Sequence, residues 1–113
     1  MKILILEDSK ERIKTFKKKL SKHDLYFYDK VEDAKEAVNL IGGFDFYFID
    51  HDLDDRVYVN SEEENTGYQF AKFLAEKEIE AVFITHTLNP VGANNICGVL
   101  PTCLRIPFIN LFK

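Results

Sequence analysis

The sequence predicts an α/β domain built on a five-stranded parallel sheet, and three observations carry that prediction. Short, almost wholly apolar runs recur along the chain, as do strands covered on both faces. Stretches with apolar residues at helical spacing separate them, and strand–helix alternation of this kind gives a parallel sheet with right-handed crossovers. Three of the apolar runs then stop abruptly at titratable side chains, which is how a strand ends at the rim of a sheet.

The elements follow in order. "KILIL" (2–6) is the first strand. Ile13, Phe16 and Leu20 recur at helical spacing between Lys and Glu residues and make the first helix. "LYFY" (25–28) is the second strand, and Val31, Ala34, Ala37, Val38 and Ile41 form the apolar stripe of a helix that Gly42 and Gly43 terminate. "FDFYFI" (44–49) is the third strand. A polar insert, 50–65, precedes "TGYQFAKFLAEK", where Thr66 and Gln69 have capping-box spacing and open the third helix. "EAVFIT" (80–85) is the fourth strand. Asn89 and Pro90 form an N-cap with proline at the first helical position, starting a short helix through about Leu100. "CLRIPF" (103–108) is the fifth strand.

At 113 residues the chain reads as one domain, 1–113, with 46% hydrophobic and 30% charged residues. A formal net charge of -4 disfavours general nucleic-acid binding and anionic membranes. Lys17, Lys18 and Lys19, with Lys10, Lys14 and Lys22 around them, read as the solvated face of the first helix. In "MKILILEDSKER" charge follows five apolar positions, too few for a signal peptide or a membrane span, so a cytoplasmic location is expected. Cys97 and Cys103 lack zinc-ligand spacing and are expected as buried free thiols. His23, near the end of the first helix, reads as a surface residue.

Functional groups in such a sheet gather at the carboxyl ends of the strands. The first strand ends in Glu7 and Asp8, the third in Asp50, His51 and Asp52, and the fourth in Thr85, His86 and Thr87. Glu7, Asp8 and Asp50 offer hard oxygen ligands for Mg²⁺ or Mn²⁺. The competing reading makes Asp8 the cap of the first helix, with Glu11 completing a capping box, and Asp50 the cap of a turn. His51 and His86 are able to divide acid and base roles at a phosphodiester, or to serve as structural hydrogen-bonders. Asn89 and the helix it starts present N–H groups to an anion, and Gly92 and Ala93 keep that turn small. Thr85 and Thr87 are candidate donors to a phosphate oxygen, with β-propensity as the alternative. Asp52 has two readings, partner to a histidine or cap of the turn that begins the insert.

These strand ends resemble the receiver domain of response regulators. The resemblance implies the CheY-like, flavodoxin-type strand order 2-1-3-4-5 in a three-layer sandwich. It also implies Mg²⁺ at Glu7, Asp8 and Asp50, a phosphoryl-accepting Asp50, and Thr85 or Thr87 at the end of the fourth strand. "RIPF" is similar to the family's Lys-Pro-Phe segment, but Ile106 stands where a phosphate-contacting Lys is expected. Arg105 is adjacent, and strand alternation directs it to the site only if the strand is bulged. The insert is longer than the corresponding receiver loop and carries Asp54, Asp55, Arg56, Glu62, Glu63 and Glu64. Only "INLFK" follows "RIPF", so the fifth helix is expected to be missing. An exposed face there implies either a homodimer contact or "FINLF" folding over it.

The set "FIDHDL", "TGYQFAKFLAE", "THTLNPVGANN" and "LRIPF" is similar to a smaller receiver variant, the cyclic-phosphate processing receiver domain. That resemblance implies metal-assisted hydrolysis or transfer at a small, cyclic phosphate ester, with His51, His86 and Asp50 catalytic and Thr85, Thr87, Asn89 and Gly92 holding phosphate. Two other functions stay open, a degenerate receiver that binds proteins and a phosphoacceptor at Asp50.

Overall fold

The structure, a computed structural model, describes residues 1–54 and 56–113. Five parallel strands, β1 (Lys2–Leu6), β2 (Asp24–Tyr28), β3 (Phe46–Ile49), β4 (Val82–Thr85) and β5 (Leu104–Arg105), lie in the order β2-β1-β3-β4-β5. This is the predicted receiver arrangement. The described helices are α1 (Lys10–Lys19), α2 (Val31–Leu40), α3 (Gly67–Glu76), α4 (Pro90–Val99) and α5 (Phe108–Leu111). The register aligns Leu6 with Ile49, Ile49 with Thr85 and Thr85 with Arg105, so the strands finish in one row. Glu7, Asp50 and His86, each one residue past a strand end, therefore become neighbours.

Side chains alternate across the sheet and build two cores. Leu4, Leu6, Tyr47, Ile49 and Phe83 face Val31, Ala34, Phe70, Leu74 and Ile96, which come from α2, α3 and α4. Ile3, Ile5, Phe48 and Ile84 face Phe16 of α1 on the other side.

Local chemistry sets the helix starts. Ser9, rather than Asp8, caps α1, its hydroxyl accepting from Arg12 N. Thr66 caps α3 as expected, but the Gln69 amide does not close the box; it donates to the Ser61 carbonyl at 2.8 Å and ties the insert to the helix. The cap of α4 forms as expected, with Asn89 Oδ1 accepting from Gly92 N at 3.0 Å and Pro90 following.

The expectation of a missing fifth helix is corrected. Pro107, with φ near -51°, starts the single turn α5. Ile106 N donates to Thr85 O and Phe108 N to His86 O, so the chain runs on beside β4 before turning. Phe108, Leu111 and Phe112 then pack on the Phe16 side of the sheet, with Phe108 and Phe112 ring centroids 5.8 and 5.5 Å from that of Phe16. The five residues after "RIPF" suffice because two of them, Leu111 and Phe112, join Phe108 in covering that face. Of the two alternatives expected for that face, the packing of "FINLF" over it is the one seen within this chain. Cys97 and Cys103 are free and half-buried rather than fully buried. Burial and the neighbouring Cys97 push the Cys103 thiol up to about 12. Among the described residues no helix is long and apolar enough to cross a membrane.

Candidate functional site

A cavity of about 340 Å³ opens at the row of strand ends. Its floor carries Glu7, Asp8 and Asp50, Ser9 and Arg12 come from the start of α1, Thr87, Leu88 and Asn89 from the approach to α4, and Asp52, Arg56, Val57 and Tyr58 from the insert.

Glu7 is buried and fully engaged. Its Oε2 accepts from the backbone N–H groups of Asp8 and Ser9 at 3.0 and 3.1 Å, and its Oε1 lies 2.8 Å from His86 Nε2. Burial pushes the carboxyl up, but the His86 hydrogen bond and charge, the Ser9 N–H and Arg12 outweigh it and hold Glu7 below its ordinary range.

Asp50 has the opposite balance. It is buried, one oxygen accepts from His51 N at 2.9 Å, and the other lies 3.9 Å from Arg12 Nη1. Burial and the charge of Glu7 drive its pKa well above the ordinary value. Arg12 and the His51 N–H pull it down without prevailing, because the guanidinium is beyond hydrogen-bond distance and a quarter exposed. Ligand atoms of Glu7, Asp50 and His86 all fall within 4.8 Å of one another. The three-residue cluster thus contains His86 where Asp8 is expected, while Asp8 lines the same cavity.

The acid–base pair expected of the histidines has no support in this geometry. Both rings are fully buried, and neither lines the cavity. His86 sits among Phe16, Phe48 and Phe108, with ring centroids 5.2, 6.5 and 6.1 Å away. Its Nε2 bonds Glu7, and its Nδ1 has no hydrogen-bond partner among the described residues. His51 points to the other side of the sheet. Its Nδ1 is 2.7 Å from Asp52 Oδ1 and its Nε2 2.7 Å from Ser61 Oγ. Asn95 donates to the same Ser61 hydroxyl at 2.8 Å. His51 is therefore a bracket between the strand end, the insert and α4.

Gly92 serves that bracket. A Cβ there would lie 2.4 Å from His51 Cγ, so the small residue makes room for an imidazole. Its N–H is engaged by the Asn89 cap, and Gly92 does not line the cavity. The Thr85 hydroxyl donates to Ile49 O at 2.8 Å, and Thr85 does not line the cavity. Thr87 and Asn89 do line the cavity. Thr87 Oγ1 accepts from Asn89 N, and Asn89 Nδ2 donates to Asp52 at 3.1 Å.

The insert is ordered by Asp52, which accepts from Tyr58 N and Val59 N at 2.7 and 3.1 Å and thereby holds Tyr58 with φ near 53° at the cavity mouth. Of the insert's acidic residues, Asp55 lies outside the described residues.

Two functional residues escape the sequence reading. Arg12 brings a guanidinium beside both Glu7 and Asp50, and the available signal is its i,i+4 relation to Phe16, which puts it on the inward face of α1. Ser61 has no sequence signal, because its role depends on where a long insert folds back. Arg105, the alternative cation, turns to α4 and bonds Asn94 Oδ1 and Pro90 O.

The family model of the cyclic-phosphate processing receiver domain matches residues 2–102. This chain belongs to that family. Among curated proteins none matches it. Solved structures agree on the fold. The non-phosphorylated HemR receiver domain of Leptospira biflexa is 22% identical, with a TM-score of 0.71 over 94% of this chain and 80% of that one. A CheY-like receiver domain of Methylobacillus flagellatus is 23% identical, with a TM-score of 0.70 over 98% and 92%. The N-terminal domain of an uncharacterized Wolinella succinogenes protein, 15% identical, reaches a TM-score of 0.73 over 95% and 80%. At these identities the likeness concerns the receiver fold alone.

Proposed function

We propose that the cavity binds a small phosphate ester beside a divalent cation and hydrolyses it, with a cyclic phosphate as the substrate class the family suggests. The observation that carries the reading is the crowding of the Glu7 and Asp50 carboxylates, which disfavours the charged form of Asp50, in a cavity that also presents Arg12. A cation relieves that charge, and the donor set fits one: two carboxylates and an imidazole nitrogen within reach, with Asp8 on the wall. Hard oxygens suit Mg²⁺ or Mn²⁺, and the nitrogen favours Mn²⁺. When bound, such an ion polarises a phosphoryl oxygen and lowers the pKa of a water.

The chain's own groups supply the rest. Thr87 and Asn89 border the space for the ester, while Val57, Tyr58 and Leu88 give its mouth an apolar wall. Asp50 would hold the cation together with Glu7, and with the activation of water coming from the bound ion this carboxylate needs no separate role as proton acceptor. The test is turnover of 2′,3′-cyclic nucleotides and sugar cyclic phosphates with Mn²⁺. Wild type is expected to hydrolyse at least one, and Asp50→Asn to lose on the order of 10²-fold or more. A panel with no turnover at all defeats the hydrolytic reading.

A second reading, phosphoryl transfer to Asp50 itself, is favoured by Arg12 lying 3.9 Å from the carboxylate, which meets part of the need for a cation. It expects a mass gain of one phosphoryl group after incubation with acetyl phosphate and Mg²⁺, absent in Asp50→Asn. The hydrolytic reading expects no lasting adduct.

A further inference from the structure

We propose that Arg12, seated on the ring of Phe108, is the anion-binding cation of this site, and that Phe108 is its positioning residue. The nature of the anion rests on the phosphate reading above.

A phosphate in a carboxylate-lined cavity needs a fixed positive charge besides any metal. The receiver pattern supplies it as a lysine at the position of Ile106, but the Ile106 side chain packs into the core beneath α1 and α5. Arg105 is held on α4 by Asn94 and Pro90. Arg56 lines the cavity from the insert, yet it is exposed and paired with Glu63 at 2.9 Å. Arg12 remains, with its Nη1 3.7 Å from Glu7 Oε1 and 3.9 Å from Asp50 Oδ2. Both separations exceed hydrogen-bond distance, so the guanidinium sits between the carboxylates without being locked to either. A planar fork in that position has N–H groups to offer two oxygens of one phosphate.

What holds the fork is the aromatic ring below it. The Arg12 guanidinium carbon lies 5.0 Å from the Phe108 ring centroid. Phe108 is itself fixed, by its N–H to His86 O at 2.9 Å and by packing against Phe16 and Phe112. The ring face attracts the cation without using its N–H groups, and Nη1 is the atom turned to the carboxylates of the cavity. The C-terminal turn α5 is thus tied to the site through one cation, and "RIPF" contributes its Phe where its Ile cannot contribute charge.

The same position makes Arg12 a built-in rival of a metal ion, because both are attracted by Glu7 and Asp50. Removing its charge therefore moves cation and anion binding in opposite directions, which a merely structural side chain does not do. Calorimetry on the full chain reads this with Mn²⁺ alone, then with inorganic phosphate in the presence of Mn²⁺. Arg12→Gln is expected to weaken phosphate by about tenfold or more and to tighten Mn²⁺ alone. Arg12→Lys should recover part of the phosphate affinity, since it restores charge without the fork. Phe108→Leu, which keeps apolar volume over the core but frees the guanidinium, should shift phosphate and Mn²⁺ in the same directions as Arg12→Gln and by less, with melting curves showing that each variant is folded. Wild-type phosphate affinity in Arg12→Gln overturns the proposal and leaves the phosphate reading standing. A wild-type protein that takes up no phosphate with Mn²⁺ present removes that reading, and the proposal with it.

Discussion

Asp50 and Asp52 are the same residue type, two positions apart on one rim, and the fold treats them oppositely. Asp52 accepts from His51 Nδ1, Tyr58 N, Val59 N and Asn89 Nδ2 at 2.7 to 3.1 Å. Burial pushes its carboxyl up, but those donors prevail and hold it below its ordinary range. Asp50, more deeply buried, has one backbone N–H at hydrogen-bond distance, a distant guanidinium, and Glu7 as a repelling neighbour, so its pKa rises. What differs is the number of donors the tertiary structure aims at each carboxylate. Where they suffice, the charge is scaffold; where they fall short, the site is disposed to take up a cation.

The two halves share one hinge, Gly67. A Cβ there would lie 1.9 Å from Asp50 O and 2.9 Å from His51 Cα, and backbone atoms cannot yield to it. Gly67→Ala is expected to cost about 4 kcal/mol or more, or to prevent folding. Denaturant unfolding measures it, and near-wild-type stability would mean that α3 does not abut the strand end as described.

Next in size is the response to metal, which separates the halves. At a Mn²⁺ concentration a hundred times its dissociation constant the fold should gain about 2.7 kcal/mol. Thermal melts of wild type should rise with Mn²⁺ and those of Asp50→Asn should not. An equal rise in both would place the cation elsewhere.

Substituting the scaffold carboxylate should cost about 2 kcal/mol, because Asp52→Asn removes a charged acceptor from four donors. The metal-free Asp50→Asn protein should instead melt higher than wild type at neutral pH, since the amide removes an unrelieved buried charge. If both substitutions lower stability, the contrast between the two aspartates is not electrostatic.

The smallest effect is in the pH dependence of the metal-free protein. Asp50 has a native pKa raised above the unfolded value of about 3.9. Its contribution is therefore present below that value and lost as pH rises toward the native pKa. Glu7 and Asp52 have lowered native values, so their contributions are present above the ordinary carboxyl range and lost as pH falls through those values. Asp50→Asn should abolish the loss on the upper side and leave the acid limb in place. An unchanged upper limb would assign that loss to another group.

Much of this architecture is legible without coordinates. Apolar runs of strand length, helical spacing between them and the Asn89–Pro90 cap all depend on neighbours in the chain, and the first four strands and four helices formed where those signals stand, whereas the strand expected over 103–108 is confined to Leu104–Arg105 and Phe108 begins α5. The rim itself is legible for the same reason, since a strand that ends in charge ends at the edge of a sheet. The direction of a side chain beyond that edge is not. His51 and His86 both follow strand ends, yet one is enclosed by Asp52, Ser61 and Gly92 and the other by three phenylalanines from distant segments.

The sequence by itself determined the strand order's ingredients and the acidic strand ends, because these are properties of local pattern and residue type, and its resemblance to receivers marked Ile106 as standing where a lysine is expected. Only the tertiary structure decided that Arg12 stands in the cavity, that "FINLF" closes the sheet face and that the charge of Asp50 is disfavoured by burial and Glu7 while that of Asp52 is stabilised by donors. Each of these depends on groups tens of residues apart meeting at distances of a few ångströms, where burial and the count of hydrogen-bond donors, rather than sequence spacing, set the energy of a charge.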